Sequence, residues 1–199
     1  MTCVGRVTVP AVTSATYVAL LRGINVGGKN IVRMADLRAA FEDAGYTAVS
    51  TYIQSGNVLF ESDGPSASLE HDIETMLEST FGLPLVVVVR SHRQLRNVVT
   101  RAPDGFGAAP GIHHSDVIFL KAPLTSRQAM RVVELRDGVD QAWPGTGVLY
   151  FSRLSERLSQ SRMSRIASTP QYQDMTIRNW RTTTRLLSLL DDRSAAQGA

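Results

Sequence analysis

The sequence is poor in the residues from which several kinds of functional site are built. Among its 199 residues there is one cysteine, Cys3, which excludes an internal disulfide and a cysteine-based zinc cluster. Aromatic residues make up only 7% of the chain. No apolar run approaches the roughly 20 residues of a membrane span, and the first 16 residues lack the apolar stretch of a secretory signal. We therefore expect a globular protein of the reducing cytoplasm, with no membrane partner.

Charge is distributed unevenly along the chain. Residues 1–89 carry five basic and nine acidic residues, giving −4, whereas residues 90–185 carry 15 and seven, giving +8. Residues 186–199 give −1. Such a split indicates two units with different surfaces. The basic half is either an ordinary solvated surface or a surface that binds a polyanion.

Apolar periodicity predicts one αβ unit in the first half. The predicted elements, in order, are a strand at 17–21, a helix at 34–44, strands at 51–53 and 58–60 around a Ser-Gly turn, a helix at 69–80 and a strand at 85–89. Gly45 follows the first helix as a C-terminal cap should. The order βαββαβ is that of a ferredoxin-like, split βαβ unit with an antiparallel sheet.

The second half repeats that order with different residues. After a bridging helix at 91–101, we predict a strand at 116–120, a helix at 126–136, strands at 138–143 and 147–152, a helix at 157–168, a strand at 175–177 and a C-terminal helix. The predicted fold is α+β, with two tandem ferredoxin-like units. We expect a loose extension at 1–16, one domain at 17–90, a second at 91–190 and a flexible tail at 191–199.

The segment from Gly23 to Asn30 has the G-x-x-x-x-G-K spacing of a phosphate-binding P-loop. Asn30 stands where the magnesium-binding Ser or Thr is needed. Ile31 and Val32 then delay the helix whose N-terminus should face the phosphate. The buried strands end in Arg90 and Lys121 instead of the Asp that holds the metal. The sequence therefore argues against a P-loop nucleotide triphosphatase.

The predicted topology gives this loop a different setting. In a βαββαβ unit the end of strand one and the turn between strands two and three lie at the same edge of the sheet. Loop 22–30 should therefore lie beside turn 54–57. Their glycines allow backbone N–H groups to face an anion, and their amides offer donors and acceptors. The same amides could also simply tie the two loops together.

Two long motifs and one short motif carry a family resemblance. Residues 17–30 (YVALLRGINVGGKN) and 51–58 (TYIQSGNV) resemble signatures of the bacterial domain-of-unknown-function family 1697, and 176–182 (TIRNWRT) resembles a third. Ser164-Arg165 is similar to a fainter fourth, where Ser-Lys is expected. The resemblance covers residues 17–190. It implies a pair of ferredoxin-like domains and no established activity, cofactor or catalytic residue.

The third motif has two interpretations. Asn179 could cap the last helix while Trp180 packs in the core. Alternatively, Arg178 could contact an anion in the cleft between the domains.

Other chemistries find little support. His113 and His114 are adjacent in a predicted loop and lack metal-site spacing, so we expect no metal site. No serine-hydrolase elbow and no carboxylate pair are evident. The sequence names no catalytic residue and no cofactor, leaves enzymatic activity undecided, and does not predict the oligomeric state.

Three hypotheses follow. The leading one is a protein that binds an anionic small molecule, such as a nucleotide or phosphorylated metabolite, at loops 22–30 and 54–57. The second is nucleic-acid binding through the arginine-rich second half, with Tyr52 and Phe60, or Tyr150 and Phe151, as the stacking aromatics. The third is an interaction protein whose motifs only brace the fold. The candidate ligand-binding residues are Arg22, Gly23, Asn25, Gly27, Gly28, Lys29, Asn30, Gln54, Ser55, Asn57, Arg178, Asn179 and Trp180.

Overall fold

The computed structural model of the chain describes residues 14–25, 27–28 and 30–197. The predicted extension at 1–16 therefore lies almost wholly outside the described residues, as do Val26 and Lys29. The first strand begins at Ala15, two residues before the predicted start. In the part of the chain that is described, no helix is long and apolar enough to cross a membrane.

The first half forms the predicted ferredoxin-like unit. Its elements are β1 (Ala15–Leu21), α1 (Met34–Asp43), β2 (Thr47–Tyr52), β3 (Asn57–Ser62), α2 (Ser66–Phe81) and β4 (Val87–Ser91). The sheet has the order β2-β3-β1-β4, and its paired strands are antiparallel. β1 therefore lies between β3 and β4, with Val18 opposite both Leu59 and Arg90.

The central strand β1 is apolar without interruption because both faces of its sheet are covered. Tyr17, Ala19 and Leu21 pack towards the core that includes α1 and α2. Val18 and Leu20 pack on the opposite side, in a core shared with the second half of the chain. A strand buried on both faces reads as a continuous apolar run rather than as an alternation.

The second half repeats the arrangement after a bridging helix. Its elements are α3 (His92–Thr100), β5 (His113–Leu120), α4 (Ser126–Met130), β6 (Asp140–Gly145), β7 (Val148–Leu154), β8 (Met175–Asn179) and α5 (Trp180–Gln197). The sheet order is β6-β7-β5-β8, again antiparallel, so the predicted fold class is confirmed. His113 and His114, predicted in a loop, are the first residues of β5.

Two helix predictions in the second half are wrong, one in the length of the helix and the other in its type. The helix expected at 126–136 ends at Met130. The helix expected at 157–168 is replaced by two short 3-10 segments, Ser155–Gln160 and Met163–Ser168, and a third, Pro170–Asp174, follows them. This region is rich in Ser and Thr, whose hydroxyls compete for backbone groups. Ser168 Oγ and Thr169 Oγ1 both donate to carbonyls three residues earlier.

The bridging helix α3 and the C-terminal helix α5 lie between the two sheets. Leu95 and Val98 of α3 and Leu186 and Leu190 of α5 are buried with residues of both sheets. α5 continues to Gln197, so residues 191–197 are helical and not the expected flexible tail. Contacts with α3 explain why α5 continues beyond residue 190, because the Asp191 carboxylate pairs with His92 and with Arg96 of α3.

The same packing removes the aromatic surface needed by the nucleic-acid hypothesis. Phe60, Tyr150 and Phe151 are almost completely buried. The Tyr150 hydroxyl also donates to the Val98 carbonyl across the interface, at 2.7 Å. Stacking of bases requires exposed rings, so these side chains do not form such a platform.

Candidate functional site at the junction of the sequence motifs

Loop 22–30 follows the end of β1, and five of its described residues have a left-handed backbone conformation. Gly23, Asn25, Gly27, Gly28 and Asn30 all have φ between +49° and +73°. Such values are routine for glycine and accessible to asparagine, which explains the residue types in this motif. The helix that follows begins at Met34, after Ile31 and Val32, so the geometry of a P-loop is absent here.

Asn25 joins this loop to the turn at 54–57, as the topology predicts. Its side-chain amide donates to the Val32 carbonyl at 2.9 Å and to the Gln54 carbonyl at 3.0 Å. Its Oδ1 accepts from the Val32 N–H at 2.9 Å. Asn30 closes the loop, because its amide donates to the Gly23 carbonyl at 3.1 Å and its own carbonyl accepts from the Asn25 N–H.

Asn57 organises the turn from inside the protein. Its side chain has no exposed surface. Its amide donates to the Tyr52 carbonyl at 3.0 Å and to Ser55 Oγ at 3.1 Å. The Gly56 carbonyl accepts from the Leu21 N–H at 2.8 Å, which fixes the turn to the end of β1.

Arg178 brings the third motif to the first two. It lies on β8, is 7% exposed, and reaches across the two sheets. Its Nε donates to Asn57 Oδ1 at 2.6 Å. Its Nη2 donates to the carbonyls of Leu21, Ser55 and Gly56 at 2.8, 3.0 and 3.1 Å. Its Nη1 donates to Thr176 Oγ1 and to the Ile177 carbonyl.

The acceptors around Arg178 are all uncharged. Burial lowers the pKa of its guanidinium to about 10, and at neutral pH the side chain is still charged. All three nitrogens already donate to protein acceptors. The hypothesis that Arg178 contacts a bound anion is therefore not supported; its guanidinium joins the two units.

The candidate residues thus fall into two groups. The first, which we call the frame, consists of buried or half-buried side chains that bond to one another and to the backbone: Asn25, Ser55, Asn57 and Arg178. The second faces solvent and consists of Gly23, Gly27, Gly28, Asn30 and Gln54. Arg22 is half-buried beside them, with its guanidinium 4.4 Å from the centre of the Tyr172 ring and Nη1 donating to the Gln173 carbonyl.

Asn179 and Trp180 point to a different part of the molecule. Asn179 Oδ1 accepts from the Thr182 N–H at 2.7 Å, which confirms the predicted cap of the last helix. Trp180 packs edge-on against Phe106, with ring centres 5.1 Å apart. Both line a cavity at the start of α5, together with residues of β5.

The sequence did not reveal a buried ion pair in the cleft between the two units. Glu70 of α2 and Arg90 of β4 lie 3.5 Å apart and line a cavity of about 610 Å³. Arg90 also donates to the carbonyls of Leu120 and Gly147 in the second unit. A basic residue that ends a buried strand is the one signal that could have indicated this pair.

Glu70 should make stability depend on pH in an identifiable direction. Burial raises the pKa of its carboxyl above the ordinary 4.5, despite the nearby Val89 N–H and Arg90. The folded protein therefore binds the proton of the Glu70 carboxyl more tightly than the unfolded chain does. The stability that this proton contributes is lost as pH rises through the raised pKa. Relative to Glu70→Gln, the wild type should lose unfolding free energy between acid and neutral pH. Urea denaturation at several pH values measures this difference, and a constant difference would contradict the burial effect.

Sequence comparison identifies the family. The family described as "Protein of unknown function (DUF1697)" matches residues 15–150. The chain belongs to the DUF1697 family. The matched span contains the loop and turn motifs, whereas Arg178, Asn179 and Trp180 lie beyond it.

A solved structure supports the fold over nearly the whole chain. This chain is similar to the solved structure of a conserved bacterial protein, SP0830 from Streptococcus pneumoniae. The two sequences are 27% identical, and the TM-score of the two structures is 0.78. The similarity covers 89% of this chain and 99% of that one. No curated protein matches the sequence. In the described residues, no group of three or more His, Cys, Asp or Glu side chains could hold a metal ion.

Proposed function

We propose that this DUF1697 protein binds a small anionic molecule, such as a nucleotide or phosphorylated metabolite, at loop 22–30 beside turn 54–57. One observation carries the proposal: Gly27, Gly28 and Asn30 are exposed and left-handed, and they are carried on a frame of buried polar side chains. Ordering exposed glycines costs conformational entropy. A frame that holds them in one conformation favours a role for their backbone N–H groups.

The charge of this edge supports an anion rather than a cation. From residue 22 to residue 33 there are three basic residues, Arg22, Lys29 and Arg33, and no acidic one. The turn at 52–57 has no charged residue. Arg33 pairs with Asp36 on α1, and in the proposal Arg22 and Lys29 supply the positive charge. Backbone N–H groups in a turn can form an anion-binding concavity.

The proposal gives each residue a separate role. Arg22 and Lys29 would supply charge, Asn30 and Gln54 would supply hydrogen bonds, and Gly23, Gly27 and Gly28 would supply backbone approach. The frame residues would act through position alone. Asn57→Ala is therefore a poor probe of binding, because it removes a buried amide on which the turn depends.

The test is a titration of the protein with sodium pyrophosphate, AMP, glucose 6-phosphate and citrate. The thermal midpoint of unfolding is measured at each ligand concentration, at fixed ionic strength. A ligand present at about 100 times its Kd stabilises the folded protein by about 2.7 kcal/mol. We expect Lys29→Ala to weaken binding at least tenfold, because it removes a positive charge at the site. The control Arg93→Gln removes an exposed positive charge from α3 and should leave affinity unchanged.

Two outcomes would overturn the proposal. One is the absence of a shift with all four anions. The other is equal weakening by Lys29→Ala and Arg93→Gln, which would indicate general attraction to a basic protein. Short RNA and single-stranded DNA belong in the same screen. Stabilisation by these that falls steeply with salt and ignores Lys29→Ala would favour nucleic-acid binding.

A further inference from the structure

The cavity of about 610 Å³ between the two units has no part in the proposed function, and loop 22–30 does not line it. Its walls come from both units. They include Glu70 of α2, Arg90 of β4, Asn97 of α3, Leu120 of β5 and Gly147 of the turn between β6 and β7. The volume is within the range of small-molecule sites, which are frequent where two domains meet.

The Glu70 carboxylate presents an unpaired oxygen to this cavity. The side chain is only 8% exposed. Its Oε1 accepts from the Val89 N–H at 2.9 Å and lies 3.5 Å from Arg90 Nη1. Its Oε2 accepts no hydrogen bond from any described residue, and it is not one of the unpaired atoms that the protein encloses completely. Since polar groups of buried side chains nearly always have a partner, this open oxygen indicates a ligand that donates to it.

The charge of the cavity favours an uncharged ligand. Among the described residues that line it, the charged ones are Glu70 and Arg90, and they pair with each other. Arg90 is further engaged by the second unit, because its Nη2 donates to the carbonyls of Leu120 and Gly147. A charged ligand would lose its hydration on entry without meeting an uncompensated charge.

Asn97 supplies a second polar group for a ligand. It lies on α3, is exposed, and lines the same cavity as Glu70. Its side-chain amide makes no hydrogen bond with any described residue. An asparagine amide can donate as well as accept. A ligand that donates to Glu70 Oε2 can therefore accept from the Asn97 amide.

The rest of the lining is largely apolar. It includes Val98, Leu120, Pro123 and Leu124. Such walls disfavour a sugar, because hydroxyls that face them would lose their hydrogen bonds with water. A ring that contains an N–H group next to a carbonyl supplies the required donor and acceptor and has apolar faces.

We propose that this cavity binds a neutral cyclic amide, a ring in which an N–H group stands next to a carbonyl, as in a pyrimidine base. The ring N–H would donate to Glu70 Oε2, and the ring carbonyl would accept from the Asn97 amide. The face of the ring would lie against the apolar wall. This second site does not depend on binding at loop 22–30.

The test uses uracil, 1,3-dimethyluracil and glucose as probes, each titrated into ¹⁵N-labelled protein and followed by ¹H–¹⁵N NMR spectra. In 1,3-dimethyluracil, methyl groups replace the ring N–H groups of uracil. We expect saturable shifts of the Asn97 and Gly147 signals with uracil. Binding of 1,3-dimethyluracil should be at least tenfold weaker, because it cannot donate to the carboxylate. Glucose tests whether the cavity prefers hydroxyl donors.

Two variants locate the site. Glu70→Gln keeps an oxygen for the Val89 N–H but puts a donor where the open oxygen was, so uracil binding should fall at least tenfold. Asn97→Ala removes an exposed amide, so it should leave the thermal midpoint unchanged and weaken uracil binding about threefold to tenfold. The control Glu78→Gln makes the same change at an exposed position of α2 outside the cavity. It should stay within twofold of the wild type, as should Lys29→Ala.

The proposal is overturned if uracil causes no saturable shift, if 1,3-dimethyluracil binds as tightly as uracil, or if glucose binds in place of uracil. It is also overturned if Asn97→Ala binds uracil as the wild type does, which decides the matter even where Glu70→Gln lowers stability. Equal losses in Glu78→Gln and Glu70→Gln would contradict it as well. Shifts confined to loop 22–30 and lost in Lys29→Ala would assign the binding to that loop instead, so the failure of either site is measured separately.

Discussion

Replacing Arg178 with Met should lower the free energy of unfolding by about 3–5 kcal/mol, because several buried acceptors lose a charged donor and each such hydrogen bond contributes about 1.5–3 kcal/mol. The substitution keeps the length of the side chain and removes its donors. The carbonyls of Leu21, Ser55 and Gly56, together with Asn57 Oδ1, then lose a charged donor in a place with little access to water. Urea denaturation measures the loss.

A neighbouring arginine provides the control for Arg178. Arg181 lies three residues further along the chain and is exposed. Arg181→Gln should change the unfolding free energy by no more than about 0.5 kcal/mol. If Arg178→Met cost no more than Arg181→Gln, the guanidinium would not be holding the two units together, and a role in binding an anion would have to be reconsidered.

The second large effect concerns Gly56 at the turn. Its φ of +73° disfavours any other residue. A Cβ at this position would also lie 2.8 Å from side-chain atoms of both Leu21 and Ile24. We expect Gly56→Ala to cost about 2–4 kcal/mol, of which about 1–2 kcal/mol is backbone strain and the remainder overpacking.

Gly28 is a matched control for that substitution. Its φ is also +73°, but a Cβ there would meet no atom within 4 Å among the described residues that are not its chain neighbours. Gly28→Ala should therefore lower the free energy of unfolding by about 1–2 kcal/mol, because it adds backbone strain without steric crowding. Equal losses in the two variants would mean that turn 54–57 does not pack against the end of β1 as the structure has it.

The sequence predicted the fold because periodicity and turn chemistry agree along most of the chain. The βαββαβ order of the first unit followed from short apolar runs and a Ser-Gly turn. That order alone predicted that loop 22–30 lies beside turn 54–57, which the bond from Asn25 to the Gln54 carbonyl now shows. Topology is a strong constraint on neighbouring loops, since sheet order decides which strand ends share an edge.

The errors have local physical causes. The helix predicted at 157–168 satisfies an apolar spacing, but the serines in it take up backbone groups, and Ser161 is extended between two 3-10 segments. The spacing of apolar residues does not show that serine side chains compete for backbone hydrogen bonds. The tail beyond residue 190 looked polar, yet Asp191 and Arg193 have partners on α3 and β2.

The roles of the site residues could not be read from the sequence. Arg178 and Trp180 are two residues apart, but one contacts the first sheet and the other lies at the cavity beside β5. Their directions depend on how the two units pack, which is a property of distant contacts.

A double-mutant cycle between Arg178 and Asn57 tests most directly whether these motifs form one frame. The variants are Arg178→Met, Asn57→Ala and the double substitution, each unfolded in urea at neutral pH. Since the two side chains are 2.6 Å apart and belong to different units, we predict a coupling energy of about 1–3 kcal/mol. Losses that add to within about 0.5 kcal/mol would show that the residues act independently, and the account of a shared frame beneath loop 22–30 would be wrong.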